Sequence, residues 1–142
     1  MKKESIDLNG VVTTKKETIE KMTLLMEQGG NVKDLEKYRA GVFAREEEGT
    51  TGIGEGIAIP HAKTDAVSGP GLAAMIIRDG VDYDSLDGEP VHMVFLIAAP
   101  NTEDDIHLEV LSRLSMLLMD DNFRANLMKA STVEEFLGYI DQ

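Results

Sequence analysis

The residue with the clearest chemical potential is His61, which follows an apolar segment at residues 56–59 and Pro60. Proline fixes φ and cannot donate to a strand ladder, so we expect the strand to end here and to present the imidazole rigidly. Histidine is a nucleophile that is neutral near pH 7, attacks phosphorus without a metal and forms a bond labile enough to pass the group on. The pattern is therefore typical of a phosphoryl carrier, although a polar loop residue after a strand has the same local sequence.

Two further side chains are candidates for holding a phosphate. His107 falls in the first turn of a helix predicted from the capping box Thr102 and Asp105, on its inward stripe. The N–H groups and positive dipole at a helix N-terminus bind phosphate oxygens, but a half-buried histidine bonded to backbone has the same position. Arg45 extends the apolar stripe of an earlier helix by one turn. Its planar guanidinium suits a dianion, and a solvated arginine has the same spacing.

A glycine-rich stretch, TTGIGEG at residues 50–56, precedes His61. It is not a dinucleotide fingerprint, because G-x-G-x-x-G spacing needs glycine at Ile57 and the segment leads into a strand; no Walker G-K-[ST] occurs either. Its glycines let the backbone approach a histidine pocket closely. Glu55, its one charged residue, either accepts a hydrogen bond from a pocket group or is solvated.

Other polar residues have weaker interpretations. Glu46, Glu47 and Glu48 lie at the predicted C-terminus of a helix, where the dipole disfavours negative charge. They either attract a basic donor protein or form a solvated acidic turn. His92 alternates with apolar residues of a strand, and we read it as a packed histidine without a functional role.

Composition limits the class of protein. The 142 residues are 42% hydrophobic, which suits one compact domain over residues 1–142. A net charge of −12 disfavours nucleic acid and anionic membranes and favours a basic protein partner. Without cysteine the chain has no disulfide, thiolate metal site or thiol nucleophile. Neither a signal peptide nor a run long enough to span a bilayer is apparent, so we expect a cytoplasmic location without direct membrane insertion.

The hydrophobic periodicity predicts one short strand, two helices, three strands and three helices. The predicted strands lie near residues 5–8, 56–59, 72–78 and 91–98, and the predicted helices begin near Thr14, Asn31, Thr102, Asp121 and Ser131. The last strand is apolar on both faces, which indicates a central strand covered by helices on each side. We therefore predict an α+β fold, a three-layer α/β/α sandwich with a small mixed sheet.

Two segments resemble a known family, the IIA domains of the phosphoenolpyruvate-dependent sugar phosphotransferase system of the fructose, mannitol and nitrogen-regulatory type. The first is Arg45 followed by TGIGEGIAIPHA at residues 51–62, which is similar to the family's active-site signature. The second is HLEVLSRL at residues 107–114, similar to its helix after the central strand. Ala62 stands where many members have glycine. The resemblance spans nearly the whole chain.

The resemblance implies a phosphocarrier in sugar uptake, for a fructose-family sugar. His61 would accept a phosphoryl group from phospho-HPr on Nε2, giving tele-phosphohistidine, and pass it to a cysteine of a IIB domain that is fused to or associated with a membrane IIC permease. His107 would be the second pocket imidazole, Arg45 the phosphate-stabilising residue and Glu55 the pocket carboxylate. No metal, nucleotide or other cofactor would be required.

Two alternatives remain at this level. One is a nitrogen-regulatory IIA module, whose phosphorylation state controls the binding of a partner. The other is a metal-binding or hydrolytic domain that uses His61, His107 and a carboxylate, although a closed zinc site needs a third or fourth ligand and none has suitable spacing. The sequence does not specify the sugar.

Overall fold

A computed structural model of the chain describes residues 1–102 and 106–140, except for the side chains of Ile106 and His107. A short 3₁₀ turn at Lys3–Ser5 precedes the first strand. The strands are β1 (Ile6–Asp7), β2 (Gly52–Gly54), β3 (Ile57–Ala58), β4 (His61–Lys63), β5 (Gly71–Val81) and β6 (Val91–Ala99). The helices are α1 (Lys15–Gln28), α2 (Leu35–Glu47), α3 (Ile106–Leu118), α4 (Asp121–Lys129) and α5 (Val133–Ile140).

The strands form one mixed sheet in the order β1-β5-β6-β3-β2. The long strands β5 and β6 are antiparallel, whereas β1 runs parallel to β5. Both β3 and β4 run parallel to β6 along its other side, β3 beside its first half and β4 beside its second half. Beyond β3 the sheet continues with β2. Among the described strands β4 pairs with β6 alone, so β4 is an edge strand.

Helices cover both faces of the sheet, because the inner strands are apolar on both sides. Alternate residues of β6 pack into two clusters: Val94, Leu96 and Ala98 against α1 and α2, and Met93, Phe95 and Ile97 against α3, α4 and α5. Every residue of β6 except His92 is buried. The predicted three-layer sandwich with a mixed sheet is confirmed.

Local capping sets the helix starts. The Thr14 Oγ1 accepts the Glu17 amide at 3.0 Å, as the capping box predicts, although the Glu17 carboxylate bonds the amide of Thr13. The second helix begins later than predicted: Asp34 is its N-cap, and Asn31 instead donates to the Gly69 carbonyl.

The predicted element order undercounts the strands. Five strands, rather than three, lie between α2 and α3, because β2 forms within the glycine-rich stretch and β4 begins at His61 itself. Short segments of two or three residues carry too little pattern to be recognised, and they become strands only through their partners. The capping residue Asp105 predicted for α3 lies outside the described residues.

Candidate functional site

His61 begins β4 instead of following the last strand of its region. The Ile59–Pro60 step interrupts the strand, which then resumes beside β6 with His61 paired to Ile97 and Ala62 to Ala98. Paired residues point to the same face of a sheet. Ala62 lies in the core beneath α1 and α2, so the half-buried imidazole of His61 lies on the α3 face, at the sheet edge.

The Nδ1 nitrogen of the imidazole contacts a backbone carbonyl. Nδ1 of His61 lies 3.0 Å from the carbonyl oxygen of Ile59. A carbonyl oxygen only accepts, so this contact is attractive when Nδ1 carries the hydrogen. In the neutral ring Nε2 then carries the lone pair, which makes Nε2 the nucleophilic nitrogen.

Arg45 reaches the same cavity from α2. A cavity of about 420 Å³ lies between the end of α2 and β4, and its described lining is Gly41, Ala44, Arg45, Glu48, His61, Ala62 and Lys63. Nη1 of Arg45 donates to the Gly49 carbonyl at 2.9 Å, which fixes the guanidinium at the end of the helix. Its Nε lies 4.0 Å from the exposed carboxylate of Glu48. Arg45 and His61 thus line the same cavity.

His107 lies in the first turn of α3, as predicted. Its side chain is outside the described residues, so the prediction that a second imidazole completes the pocket stays a prediction. The helix follows the carboxyl end of β6 and packs on the sheet face toward which His61 points. The topology therefore places the start of α3 and His61 at the same end of the sheet.

Glu55 occupies a different place from the one that the sequence suggests. It lies at the tip of the β2–β3 hairpin with a φ of 57°, and its carboxylate is 3.7 Å from Nη2 of Arg124. The tip lies near the beginning of β6 and His61 near its end, on the order of 13 Å apart along the strand. Glu55 is not among the described residues that line the cavity, so its position does not support a role as pocket carboxylate.

The three glutamates after Arg45 differ in environment. Glu47 and Glu48 are exposed, but Glu46 is buried. Its carboxylate accepts from the amide and hydroxyl of Thr51 and forms an ion pair with Lys15 at 2.9 Å. Glu46 is therefore not available to attract a donor protein, and the sequence-based hypothesis is wrong for this residue. The burial of Glu46 follows from its contacts with Lys15, which is distant in sequence, and with Thr51, which lies in the loop after α2.

Tyr83 completes the surroundings of Glu46. Its ring is fully buried, with the hydroxyl 3.3 Å from Thr51 Oγ1 and the Lys15 ammonium 4.8 Å from its centroid. Burial, and secondarily the Glu46 carboxylate, raise the pKa of the Tyr83 hydroxyl well above its usual range, because both oppose phenolate formation. The sequence gives no signal for this group, since Tyr83 falls in a segment without periodic pattern.

The described part of the chain contains no metal cluster or membrane-spanning helix. Among the described side chains, which do not include those at positions 103–107, no group of three or more His, Asp or Glu residues is placed to hold a metal ion. None of the described helices is long and apolar enough to cross a bilayer. The half-buried His92 places Nδ1 3.0 Å from the Ile77 carbonyl, consistent with a packed residue.

Comparisons with known proteins agree with this geometry. Residues 1–142 match the family model described as "Phosphoenolpyruvate-dependent sugar phosphotransferase system, EIIA 2". A fructose-specific EIIABC component of Bacillus subtilis is 44% identical over 140 residues, which are 99% of this chain. The chain spans only 22% of that relative.

Two solved structures share the whole architecture. The nitrogen regulatory protein IIA-Ntr from Neisseria meningitidis superposes with a TM-score of 0.90 at 33% identity, covering 98% of this chain and 94% of that one. Enzyme IIA-mannitol of Escherichia coli, solved in complex with phosphorylated enzyme IIB-mannitol, gives a TM-score of 0.85 at 27% identity and covers 99% and 96% of the two chains.

Proposed function

Since the chain belongs to the EIIA 2 family of the phosphoenolpyruvate-dependent sugar phosphotransferase system, we propose that it is a phosphocarrier that bears its phosphoryl group on His61. The donor is phospho-HPr and the acceptor is a cysteine of a IIB domain. The protein works in the cytoplasm as a single domain, and it serves the uptake of a fructose-family sugar.

The observation that carries this proposal is the orientation of the His61 ring. The Ile59 carbonyl holds Nδ1, so Nε2 is the nitrogen that attacks phosphorus. The N–P bond of the donor breaks as the bond from phosphorus to Nε2 forms, and no water or metal takes part. In the second transfer that bond breaks while an S–P bond forms on the acceptor thiolate, which restores neutral His61.

Positioning and charge supply most of the catalysis in such transfers. Arg45 is held at the cavity by Gly49, and we propose that its remaining N–H groups bind the phosphoryl oxygens. Lys63 adds a second cation to the same cavity, within a chain of net charge −12. The helix start at His107 lies at the same end of the sheet, and we propose its imidazole as a further donor to the phosphate.

The relatives support the choice of acceptor and sugar. The Bacillus subtilis relative is named fructose-specific and EIIABC, and the Escherichia coli mannitol protein is solved with a phosphorylated IIB enzyme. A basic face on the donor suits the acidic charge of this chain.

A regulatory role is the second candidate. It is favoured by the match to the nitrogen regulatory protein from Neisseria meningitidis, which has the highest TM-score of the structures compared above. In that role phosphorylation of His61 controls partner binding instead of feeding sugar uptake.

Phosphate uptake is tested by incubating the protein with phosphoenolpyruvate, enzyme I and HPr, followed by intact mass measurement. We expect the wild type to gain one phosphoryl group and the His61→Gln variant to gain none. His92→Gln is the matched control, because it alters another half-buried histidine bonded to a carbonyl, and it should behave as wild type. A phosphorylated His61→Gln protein would falsify the assignment.

Adding purified fructose-type IIB distinguishes the two roles. A transport component loses its phosphoryl group to the IIB cysteine, whereas a regulatory module retains it.

A further inference from the structure

Glu46 is a buried carboxylate without a part in the proposed transfer. Its side chain is 5% exposed, and it lies in the last turn of α2, where the helix dipole disfavours negative charge. Removing a carboxylate from water costs free energy that a single ion pair with Lys15 rarely returns in full. Such a residue is explained better by what it holds in place than by stability.

What Glu46 holds is the loop between α2 and β2. Its Oε1 accepts the Thr51 amide at 3.1 Å, and its Oε2 accepts the Thr51 hydroxyl. The Thr51 hydroxyl also lies 3.3 Å from the buried hydroxyl of Tyr83. Thr51 is thus fixed by both its backbone and its side chain.

Thr51 in turn holds the backbone of Ile59, two residues before His61. The Thr51 carbonyl accepts the Ile59 amide at 3.0 Å, and the Ile59 carbonyl accepts Nδ1–H of His61 at 3.0 Å. The strand is interrupted at the Ile59–Pro60 step, where the Ile97 amide also donates to the Pro60 carbonyl at 3.0 Å. One continuous series of hydrogen bonds therefore joins the Glu46 carboxylate to the imidazole.

We propose that Glu46 is a positioning residue for His61. Through Thr51 it holds the Ile59 carbonyl against Nδ1, and so keeps the hydrogen on Nδ1 and the lone pair on Nε2 of a ring that lines the cavity together with Arg45. Lys15 balances its charge from the first residue of α1. This inference rests on the proposed function, because it concerns the nitrogen that receives phosphorus.

The test measures the His61 tautomer as well as the rate. Long-range ¹H–¹⁵N spectra of the imidazole, taken at a pH where the ring is neutral, report which nitrogen carries the hydrogen. In the wild type we expect the Nδ1–H form to dominate. In Glu46→Gln and Thr51→Val we expect a mixture of the two tautomers and a rate of phosphate uptake from phospho-HPr that is about 10-fold to 100-fold lower.

Matched variants separate positioning from folding. Thr51→Ser keeps the hydroxyl and should restore both the tautomer and the rate. Thr132→Ala, which removes the side-chain cap of α5, a helix that contributes no residue to the series, should lower stability while leaving both unchanged. Should Glu46→Gln fail to fold, Thr51→Val alone decides, since it removes a single hydroxyl from the series.

The outcomes for positioning and for function are distinct. Folded Glu46→Gln and Thr51→Val proteins with the wild-type tautomer and rate would overturn the positioning role and leave the phosphocarrier proposal intact. A wild type that takes up no phosphate, yet shows the tautomer change in the variants, would overturn the phosphocarrier proposal and support the positioning of the ring.

Discussion

Tyr38→Phe tests how α2 is tied to the central strand. The Tyr38 side chain is fully buried, and its hydroxyl donates to the Ile97 carbonyl at 3.0 Å. Burial also raises the pKa of this phenol far above its usual range, so the hydroxyl stays protonated and able to donate. Ile97 is the residue of β6 that pairs with His61, so this hydrogen bond links the helix of Arg45 to the strand beside which His61 lies.

The cost of the change follows from the hydrogen bond alone, since phenylalanine keeps the ring in place. An intramolecular hydrogen bond contributes about 0.5–1.5 kcal/mol, and a buried acceptor left unpaired adds about 1–3 kcal/mol. A carbonyl has a second lone pair, and Ile97 belongs to the paired β4–β6 ladder, so its oxygen need not be orphaned. We therefore expect a loss of about 1 kcal/mol, which is about 3–4 °C in Tm for a chain of this size.

Urea unfolding followed by circular dichroism measures this loss. Tyr139→Phe is the control, because the Tyr139 hydroxyl makes no hydrogen bond to a described backbone or side-chain atom. Its unfolding midpoint should be that of the wild type. A Tyr38→Phe protein with the wild-type midpoint and slope would refute the assigned hydrogen bond. A change in the slope of unfolding free energy against urea concentration would instead indicate that the variant alters the compactness of the folded or the unfolded state.

Two further changes have expected results. Thr14→Ala removes the oxygen that accepts the Glu17 amide and should lower the free energy of unfolding by about 1 kcal/mol, with Thr14→Ser close to wild type in the same urea titration. Because folding raises the pKa of Tyr83, the unfolded state loses its proton first, so stability is complete below about pH 10 and falls above it. Urea titrations from pH 9 to 11 should show a smaller fall in Tyr83→Phe; an equal fall in both proteins would contradict this.

Much of the fold could be predicted because its signals are local. The Thr14 capping box, the apolar stripes of the helices and the double-sided apolar run of β6 each arise from residues a few positions apart, so the sequence alone indicates them. The candidate nucleophile is predicted in the same way, from a histidine directly after an apolar segment and proline. Arg45 was placed correctly because helical periodicity carries its stripe to the end of α2.

The rest depends on contacts between distant residues. His61 begins strand β4 because the residues that follow Pro60 pair with the second half of β6. Glu55 lies near Arg124 because the tip of the β2–β3 hairpin is beside the beginning of β6, away from His61. Glu46 looks like its exposed neighbours in sequence, yet it is buried because Lys15, Thr51 and Tyr83 surround it. Periodicity indicates the face of a helix or strand on which a residue lies. Strand pairing and burial depend on which distant residues pack against that face, and only the tertiary structure shows those residues.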